Sequence, residues 1–317
     1  MSRLVIILSP PRSFSSVVST MIGEHPDLYG FPELHCFTAD TMGGVVDHEH
    51  NRKPTHPAGP PGILRLLAQL HDGIQTTGTI IRAASWLREH RDWTPREFLD
   101  HILDNIAPQI GVEKSPVTAT KPSFLERAYD AYPDAYFLHL TRHPVSNRAS
   151  WTEFVEAKLK GDPADWRKRV DRLLGWYRMH QNILAFTNTL PAGQSLRIKG
   201  EDLLSEPDVY LPQIAEWLGI RTDAEAMQAM MHPETSPYAH PGPDLARGGN
   251  DPKFLRSPAL RHTRVKEPSL AGLLESDAVE WLPAQVREAG EAVGLSVRSG
   301  EQMGEAVART AHELGYV

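Results

Sequence analysis

The start of the chain carries the feature that most constrains its fold, a strand–turn–helix unit over residues 4–22. Residues 4–8 (LVIIL) are an unbroken apolar run rich in β-branched side chains, which is typical of a strand covered on both faces in a parallel sheet. Residues 9–16 (SPPRSFSS) supply a turn, a cation and several hydroxyl groups, and residues 17–22 can be helical. Because N–H groups at a helix N-terminus are unpaired and the helix dipole favours negative charge, the unit predicts a phosphate site.

Other interpretations of this unit stay open at this point. Strand–turn–helix units are common, and hydroxyl groups before an apolar helix often serve only as caps. An ordinary P-loop ATPase is disfavoured because the pattern G-x-x-x-x-G-K-[ST] is absent. Residues 9–16 contain no glycine, and their cation is Arg12.

A second strand is predicted over residues 136–140, and Arg142 lies just beyond its end. Open α/β sheets bind ligands at the carboxyl ends of their strands, so Arg142 is a candidate anion contact. Ser150 follows about two helical turns later. The alternative is that Arg142 is a solvated surface charge, which is the usual state of an arginine.

Residues 11–16 (PRSFSS) resemble the 5′-phosphosulfate-binding loop of sulfotransferases that use 3′-phosphoadenosine 5′-phosphosulfate (PAPS). The family pattern is Pro, Lys or Arg, Ser, Gly, Thr, and then Thr or Ser. The resemblance implies that the phosphosulfate is bound by Arg12, Ser13, Phe14, Ser15 and Ser16. Phe14 stands where the family usually has glycine. Since glycine tolerates torsions that phenylalanine resists, we expect an altered backbone or a narrower site there.

The second half of the family signature also matches. Arg142 and Ser150 resemble, in order and context, the Arg and Ser that hold the 3′-phosphate of PAPS. Residues 113–116 (EKSP) resemble the strand-end motif whose lysine, here Lys114, contacts the transferring sulfonate. The resemblance therefore implies PAPS as cofactor, 3′,5′-ADP as product and no metal.

Two later stretches extend the resemblance over most of the chain. Residues 196–207 resemble a late strand and its Glu-Asp-Leu turn, but Gly200 replaces a tyrosine that is commonly near the adenine. We therefore assign no adenine contact to Gly200. Residues 247–252 (RGGNDP) resemble the Gly-rich loop that closes on the nucleotide, which implies cofactor contacts from Arg247, Gly248 and Gly249.

Residues 31–35 (FPELH) and 249–255 are similar to bacterial sulfotransferase domains of the curacin type, which sulfonate a hydroxyl on a carrier-bound acyl chain. The resemblance implies that Glu33 is the general base, and we expect apolar surroundings to raise its pKa toward neutral pH. His35 and His240 are rival bases, since imidazole also suits this role.

The family resemblance implies an α/β fold with a central parallel sheet flanked by helices, a P-loop-like sulfotransferase fold. We expect a single domain over residues 1–317, with lid segments at 40–62 and 232–260. The implied reaction moves a sulfonate from PAPS to a hydroxyl of a small-molecule or carrier-bound acceptor; a sugar, a phenol or a peptide tyrosine stays open. The alternatives are an ATP-dependent phosphotransferase, and a nucleotide-binding protein that has lost catalysis.

The composition limits which partners and which cellular compartment we expect for the protein. The net charge of -7 disfavours nucleic-acid binding, which usually needs a basic surface. One cysteine excludes an intramolecular disulfide framework and suits a reducing cytoplasm. No apolar run resembles a signal peptide or a membrane span, so we expect a cytoplasmic protein that does not bind membranes.

Four further features have weaker signals. Residues 47–50 (DHEH), with His56, could bind a metal, but the polar sequence favours a surface loop or lid. Cys36 is expected to be structural. A helix is predicted over residues 165–186, with a basic face that could dock an acidic carrier but is more simply solvated; that face consists of Arg167, Lys168, Arg169 and Arg172. The tail from Ser269 is predicted to be helical.

Overall fold

In the computed structural model, the described residues are 3–52, 59–158, 172–261, 264–270 and 300–317. They contain a parallel sheet of five strands in the order β2-β3-β1-β4-β5. Its strands are β1 (Leu4–Leu8), β2 (Leu28–Gly30), β3 (Ile110–Glu113), β4 (Tyr136–Thr141) and β5 (Ser195–Lys199). The predicted α/β class with a central parallel sheet is confirmed.

Helices pack on both faces of the sheet. They are α1 (Ser15–Gly23), α2 (Met42–Arg52), α3 (Pro61–Asp72), α4 (Thr77–Glu89), α5 (Pro95–Ile106), α6 (Pro122–Ala131), α7 (Pro144–Lys158), α8 (Arg172–Thr187), α9 (Gly200–Ser205), α10 (Pro207–Leu218), α11 (Ala224–Met230), α12 (Pro252–Arg256) and α13 (Gly300–Glu313). Short 3₁₀ turns cover Cys36–Thr38, Pro116–Thr120, Pro233–Thr235 and Asp244–Ala246.

Strand β1 lies at the centre of the sheet, and all of its residues are buried. Leu4, Ile6 and Leu8 pack into a cluster with α3, α4 and α5, whereas Val5 and Ile7 pack with α1 and α10 on the other face. Because successive side chains of a strand point to opposite faces, a strand covered on both sides must be apolar at every position. This packing explains the unbroken LVIIL run.

The parallel register brings the ends of three strands to one edge. Ile6 of β1 pairs with Glu113 of β3, and Leu8 pairs with His139 of β4. The residues that follow these strands are therefore neighbours, as expected for a ligand site in an open α/β sheet.

Two helix ends have a sequence motif that explains where the helix begins or ends. Thr94 accepts a hydrogen bond from the Glu97 backbone N–H, and the Glu97 carboxylate accepts one from the Thr94 backbone N–H, a capping box at the start of α5. Gly219 ends α10 with a φ of 68°, a left-handed conformation that glycine adopts readily.

The prediction of a loop at residues 47–50 is wrong, because these residues lie in α2. Polar composition misled the prediction: Asp47 faces outward and pairs with Arg91 at 2.9 Å, but Glu49 is buried. The buried apolar residues of this helix, Met42 and Val45, precede residues 47–50, so no apolar stripe marks the segment in which Glu49 is buried. His56 lies outside the described residues.

The predictions for the later helices are confirmed in part, because residues 269 and 270, at the start of the predicted tail helix, are not helical. Helix α8 begins at Arg172, and residues 165–171 with their basic side chains lie outside the described residues. Within the predicted tail helix, Gly300–Glu313 is helical, and its Val307 and Ala311 pack against Leu173 of α8. In the described ranges, no helix combines the length and the apolar character that a membrane span requires.

Candidate active site

The loop between β1 and α1 has an unusual backbone. Arg12 has a φ of 67° and Phe14 a φ of 62°, values in the left-handed region that costs a non-glycine residue about 1–2 kcal/mol. Asn147 of α7 holds this loop: its side-chain amide donates to the Pro11 carbonyl at 2.9 Å and to Ser13 Oγ at 3.1 Å. Phe14 therefore adopts the torsion that glycine favours, and strain of this kind is concentrated at functional sites.

Arg12 is the cation of the loop, and its side chain is only 8% exposed. Its guanidinium pairs with the Asp251 carboxylate and donates to Ser150 Oγ at 3.2 Å. Burial lowers the pKa of Arg12, but the negative charges of Glu153 and Glu33 act in the opposite direction. Arginine remains a cation at neutral pH, so this guanidinium is an anion-binding group.

Lys114, directly after β3, connects three parts of the site. Its fully buried ammonium donates to Ser16 Oγ at 3.1 Å, to Glu33 Oε1 at 2.8 Å and to Asn250 Oδ1 at 3.1 Å. Each of its three N–H donors has a partner, as a buried ammonium requires. The first turn of α1, the candidate base and the late loop thus meet at one cation.

Glu33 lies after β2, and its carboxylate is ion-paired. Its Oε1 contacts Lys114 and its Oε2 lies 3.5 Å from Nε2 of His35. Burial alone would raise the pKa of Glu33, but the Lys114 ammonium and the His35 ring outweigh it and hold the pKa well below its usual range. The expectation of a pKa near neutral is therefore wrong, because the sequence did not show that the Lys114 charge lies beside Glu33.

His35 is buried behind Glu33. Its Nδ1 lies 3.1 Å from Oε2 of Glu49, and its backbone N–H donates to Ser115 Oγ at 2.9 Å. Burial lowers the pKa of His35, but its hydrogen bonds to Glu33 and Glu49 outweigh this effect, so the pKa is raised. Ser115 in turn donates to Glu113, whose pKa is raised to about 7 by burial.

Arg142 follows β4 and reaches the same loop. Its NH1 donates to the Arg12 carbonyl at 2.6 Å, and its Nε donates to Ser146 Oγ at 3.1 Å. The guanidinium carbon also lies 4.1 Å from the centre of the Phe14 ring. Burial lowers the pKa of Arg142 to about 10, so the group stays charged at neutral pH. Ser150 contacts Arg12 rather than Arg142.

Of the three predicted cofactor contacts in the late loop, Gly249 bonds directly to a site residue, whereas Arg247 and Gly248 bond to other residues. Arg247 is 65% exposed and pairs with Asp244 at 2.6 Å. The Gly248 carbonyl accepts a bond from Arg65 at 2.6 Å, and the Gly249 carbonyl accepts one from the Glu33 backbone N–H at 2.7 Å. Both glycines therefore hold the loop in place through their carbonyl groups.

Asp251 of the late loop is a site residue that the sequence analysis missed. It pairs with Arg12, and its backbone N–H donates to Ser16 Oγ at 3.0 Å. The sequence did contain a signal for it, because Asp251 lies two residues after the two glycines of the RGGNDP motif. His240, a rival base in the sequence analysis, is exposed, and its Nδ1 accepts from the Gly242 N–H at 3.1 Å.

Ser15 and Ser16 begin α1, and both are buried at the edge of the loop. Cys36 is buried in the 3₁₀ turn beside His35, and burial raises the pKa of its thiol. Among the described residues, no group of three or more His, Cys, Asp or Glu side chains is arranged to hold a metal ion.

The fold and this arrangement of cations at the strand ends define the class of protein. The sequence profile described as the sulfotransferase family matches residues 5–224. This match covers more than half of the chain, so the chain belongs to the sulfotransferase family. The predicted family is confirmed.

Two solved structures are similar over the whole chain. The sulfotransferase domain from the curacin biosynthetic pathway has a TM-score of 0.66 and 20% identity, and the match covers 100% of this chain and 99% of that one. The sulfotransferase domain from the Synechococcus PCC 7002 olefin synthase has a TM-score of 0.68 and 21% identity, covering 100% and 96% of the two chains. At these identities the likeness shows the fold. A search of curated proteins found no match.

Proposed function

We propose that this protein transfers a sulfonate group from PAPS to an acceptor hydroxyl and releases 3′,5′-ADP. One observation carries the proposal: the Lys114 ammonium lies within hydrogen-bond distance of both Ser16, in the first turn of α1, and the Glu33 carboxylate. From this position Lys114 can neutralise charge on the transferring sulfonate. It also holds the carboxylate that would take the proton from the attacking hydroxyl.

The loop fits a phosphosulfate group in its chemistry. Arg12 already holds a carboxylate, that of Asp251, at this position. The first N–H groups of α1 are free of helical partners, as at any helix N-terminus, and favour anions. Arg12 and Ser16 would hold the phosphosulfate, and Arg142, with Ser150 beside Arg12, would hold the 3′-phosphate.

The protein's own groups have distinct roles in this scheme. PAPS, when bound, supplies an activated sulfonate; the acceptor oxygen forms a bond to sulfur as the bond from sulfur to the phosphate oxygen breaks. Glu33 accepts the hydroxyl proton. Arg12 and Lys114 neutralise the charge that develops on the departing phosphate oxygen, and such preorganised electrostatics is usually the largest catalytic contribution.

Glu33 becomes a better base as Lys114 moves to the sulfonate. The ion pair with Lys114 is a main cause of the low pKa of Glu33. A hydrogen bond from Lys114 to a sulfonate oxygen would weaken this pair and raise the basicity of the carboxylate. We therefore propose that binding of the donor activates the base.

The acceptor we propose is the hydroxyl of a small-molecule or carrier-bound natural product. The resemblance of residues 31–35 and 249–255 to curacin-type domains supports it. Both stretches meet in the structure, since the Glu33 backbone N–H donates to the Gly249 carbonyl.

The test is transfer of sulfur-labelled sulfonate from PAPS to a β-hydroxyacyl pantetheine. Lys114→Ala should lower the rate by ~10² to ~10³, the loss typical of one preorganised donor. Lys121→Ala, a surface lysine over the Phe124 ring, is the matched control and should transfer at the native rate. Tight binding of 3′,5′-ADP without transfer to any hydroxyl would instead identify a nucleotide-binding protein that has lost catalysis.

A further inference from the structure

Helix α2 brings a buried carboxylate to the back of the site. Glu49 is 1% exposed, and its Oε2 lies 3.1 Å from Nδ1 of His35. Val45, one helical turn earlier, is also buried, which places both side chains on the inner face of the helix. Asp47 lies on the outer face, where it pairs with Arg91.

His35 is fixed between two carboxylates. Its backbone has a φ of 58°, and Ser115 accepts its N–H and that of Leu34. The ring then has Glu49 at Nδ1 and Glu33 at Nε2, 3.1 Å and 3.5 Å away. Glu33 is the more exposed carboxylate, with 25% of its side chain accessible against 2% for Glu49.

This order assigns the three groups different positions relative to a substrate. Glu33 faces the open side, His35 lies behind it, and Glu49 lies behind His35. A neutral imidazole has a single N–H and would present a lone pair to one of the carboxylates. An imidazolium donates to both, so the geometry matches the protonated ring.

We propose that Glu49 is a positioning residue for the transfer reaction: through His35 it fixes the Glu33 carboxylate toward the acceptor hydroxyl. The inference rests on the proposed function. Glu33 takes the hydroxyl proton as the new oxygen–sulfur bond forms, and the charge left on His35 is balanced by Glu49. The proton then leaves Glu33 for solvent after the product departs.

The charges around His35 determine the effect of pH. Glu33 and Glu49 contact the ring, Glu113 faces it from behind Ser115, and Lys114 faces it across Glu33. The two contacting carboxylates raise the pKa of His35 against the effect of burial. Removing the charge of Glu49 lowers this pKa, so the ring loses its proton as pH rises and Glu33 loses the donor that orients it.

The variant Glu49→Gln tests this role. The rate of PAPS-dependent transfer is measured from about pH 5 to about pH 9, the range in which histidine titrates. We expect kcat of the variant to fall with rising pH by up to about tenfold per pH unit, and this fall should begin at a lower pH than in the wild type. KM for PAPS should not change, because Glu49 does not contact the phosphosulfate loop. Asp47→Asn, on the outer face of the same helix, should keep the native profile.

Two further measurements separate the outcomes. Glu49→Asp keeps the negative charge, so it should lower kcat without changing the pH at which kcat falls. Nitrogen NMR of the His35 ring needs no turnover: both ring nitrogens should carry protons near neutral pH in the wild type, and one should lose its proton in Glu49→Gln. A wild type with a neutral ring, or a Glu49→Gln profile of native shape, overturns the inference. A protonated ring in a protein that never transfers sulfonate overturns the proposed function, and with it the role of Glu49 in transfer, but not the contact of Glu49 with a charged His35.

Discussion

The ring of Phe14 lies against the α-carbon of Gly200: a Cβ atom added to Gly200 would be 2.7 Å from Cδ2 of Phe14. The two residues are the two departures from the family pattern noted in the sequence. They are complementary, because the absent side chain at Gly200 leaves room for the ring. The ring in turn contacts the guanidinium of Arg142 at 4.1 Å, so this pair determines where that cation lies.

Gly200→Ala should therefore weaken binding of 3′,5′-ADP by about tenfold and lower the free energy of unfolding by about 1–3 kcal/mol, the usual cost of overpacking. Titration calorimetry and denaturant unfolding measure the two effects. Gly175→Ala is the control, because a Cβ there meets nothing within 4 Å. In the double variant Phe14→Gly/Gly200→Ala the clash with the ring is removed, and stability should recover in part, because the added Cβ would still lie 3.1 Å from the Thr141 carbonyl oxygen. Native binding and stability in Gly200→Ala would show that the ring moves freely.

Asp251→Asn should tighten binding of 3′,5′-ADP. The carboxylate of Asp251 occupies Arg12, so an anionic ligand must displace it, and the neutral amide is easier to displace. Asparagine can keep the cap that Asp251 provides to Lys253 and Phe254 at the start of α12. We expect about tenfold tighter binding by calorimetry, equal to about 1.4 kcal/mol.

The control for this experiment is Asp244→Asn, which removes the partner of the exposed Arg247 and should leave the affinity unchanged. Weaker binding in Asp251→Asn would mean that the carboxylate assists the ligand instead of competing with it.

Arg65→Met should destabilise the protein by about 3 kcal/mol in denaturant unfolding. Arg65 is fully buried, and it donates to the Gly248 carbonyl and to Gln75, both at 2.6 Å. Its loss leaves buried polar partners unpaired, the costly case for a hydrogen bond to a charged group. Arg82→Met removes an exposed pair with Asp72 and should have little effect. Equal stability of the two variants would contradict this account of the late loop.

Glu113 should make the protein less stable as pH rises. Burial raises its pKa from 4.5 to about 7, so between these values the folded state binds more protons than the unfolded state. The free energy of unfolding must then fall with increasing pH, by up to about 3 kcal/mol for this group alone. Glu113→Gln should remove that fall in unfolding experiments from about pH 4.5 to about pH 7. An unchanged slope in the variant would assign the effect to another group.

His35 and Glu33 give pH dependences of opposite sign. The pKa of His35 is raised, so its contribution to stability is complete below its ordinary value of 6.5 and is lost as pH rises through the folded-state pKa. The pKa of Glu33 is lowered, so its contribution is present above about pH 4.5 and is lost only in acid. His35→Gln should therefore flatten the alkaline side of the stability profile, and it should weaken the acid side without abolishing it, because the Lys114 ammonium still lowers the pKa of Glu33.

Local signals in the sequence predicted the sheet and the turn between β1 and α1. The LVIIL run must be buried on both faces, and Arg142 follows its strand directly, so both positions follow from the order of residues. The contacts of Glu49 and Asp251 could not be predicted in this way. Glu49 meets His35 only because α2 folds back over the 3₁₀ turn, and Asp251 meets Arg12 across most of the length of the chain.

Charges brought together by tertiary structure also explain the error at Glu33. Its apolar neighbours in sequence predict a raised pKa, and burial does act in that direction. The ammonium of Lys114, from a different strand, reverses the result. The conformation of Phe14 could not be predicted from the sequence either, because it depends on the space that Gly200 leaves.

Nucleotide selectivity tests the central claim most directly. We would compare the affinities of 3′,5′-ADP and of 5′-ADP with Mg²⁺ by calorimetry in the wild type, in Arg142→Ala and in the control Arg197→Ala. The wild type should prefer 3′,5′-ADP by about tenfold to about a hundredfold, the value of one hydrogen-bonded charge contact. Arg142→Ala should lose this preference and Arg197→Ala should keep it. Preference of the wild type for 5′-ADP with Mg²⁺ would contradict the account and point to a phosphotransferase.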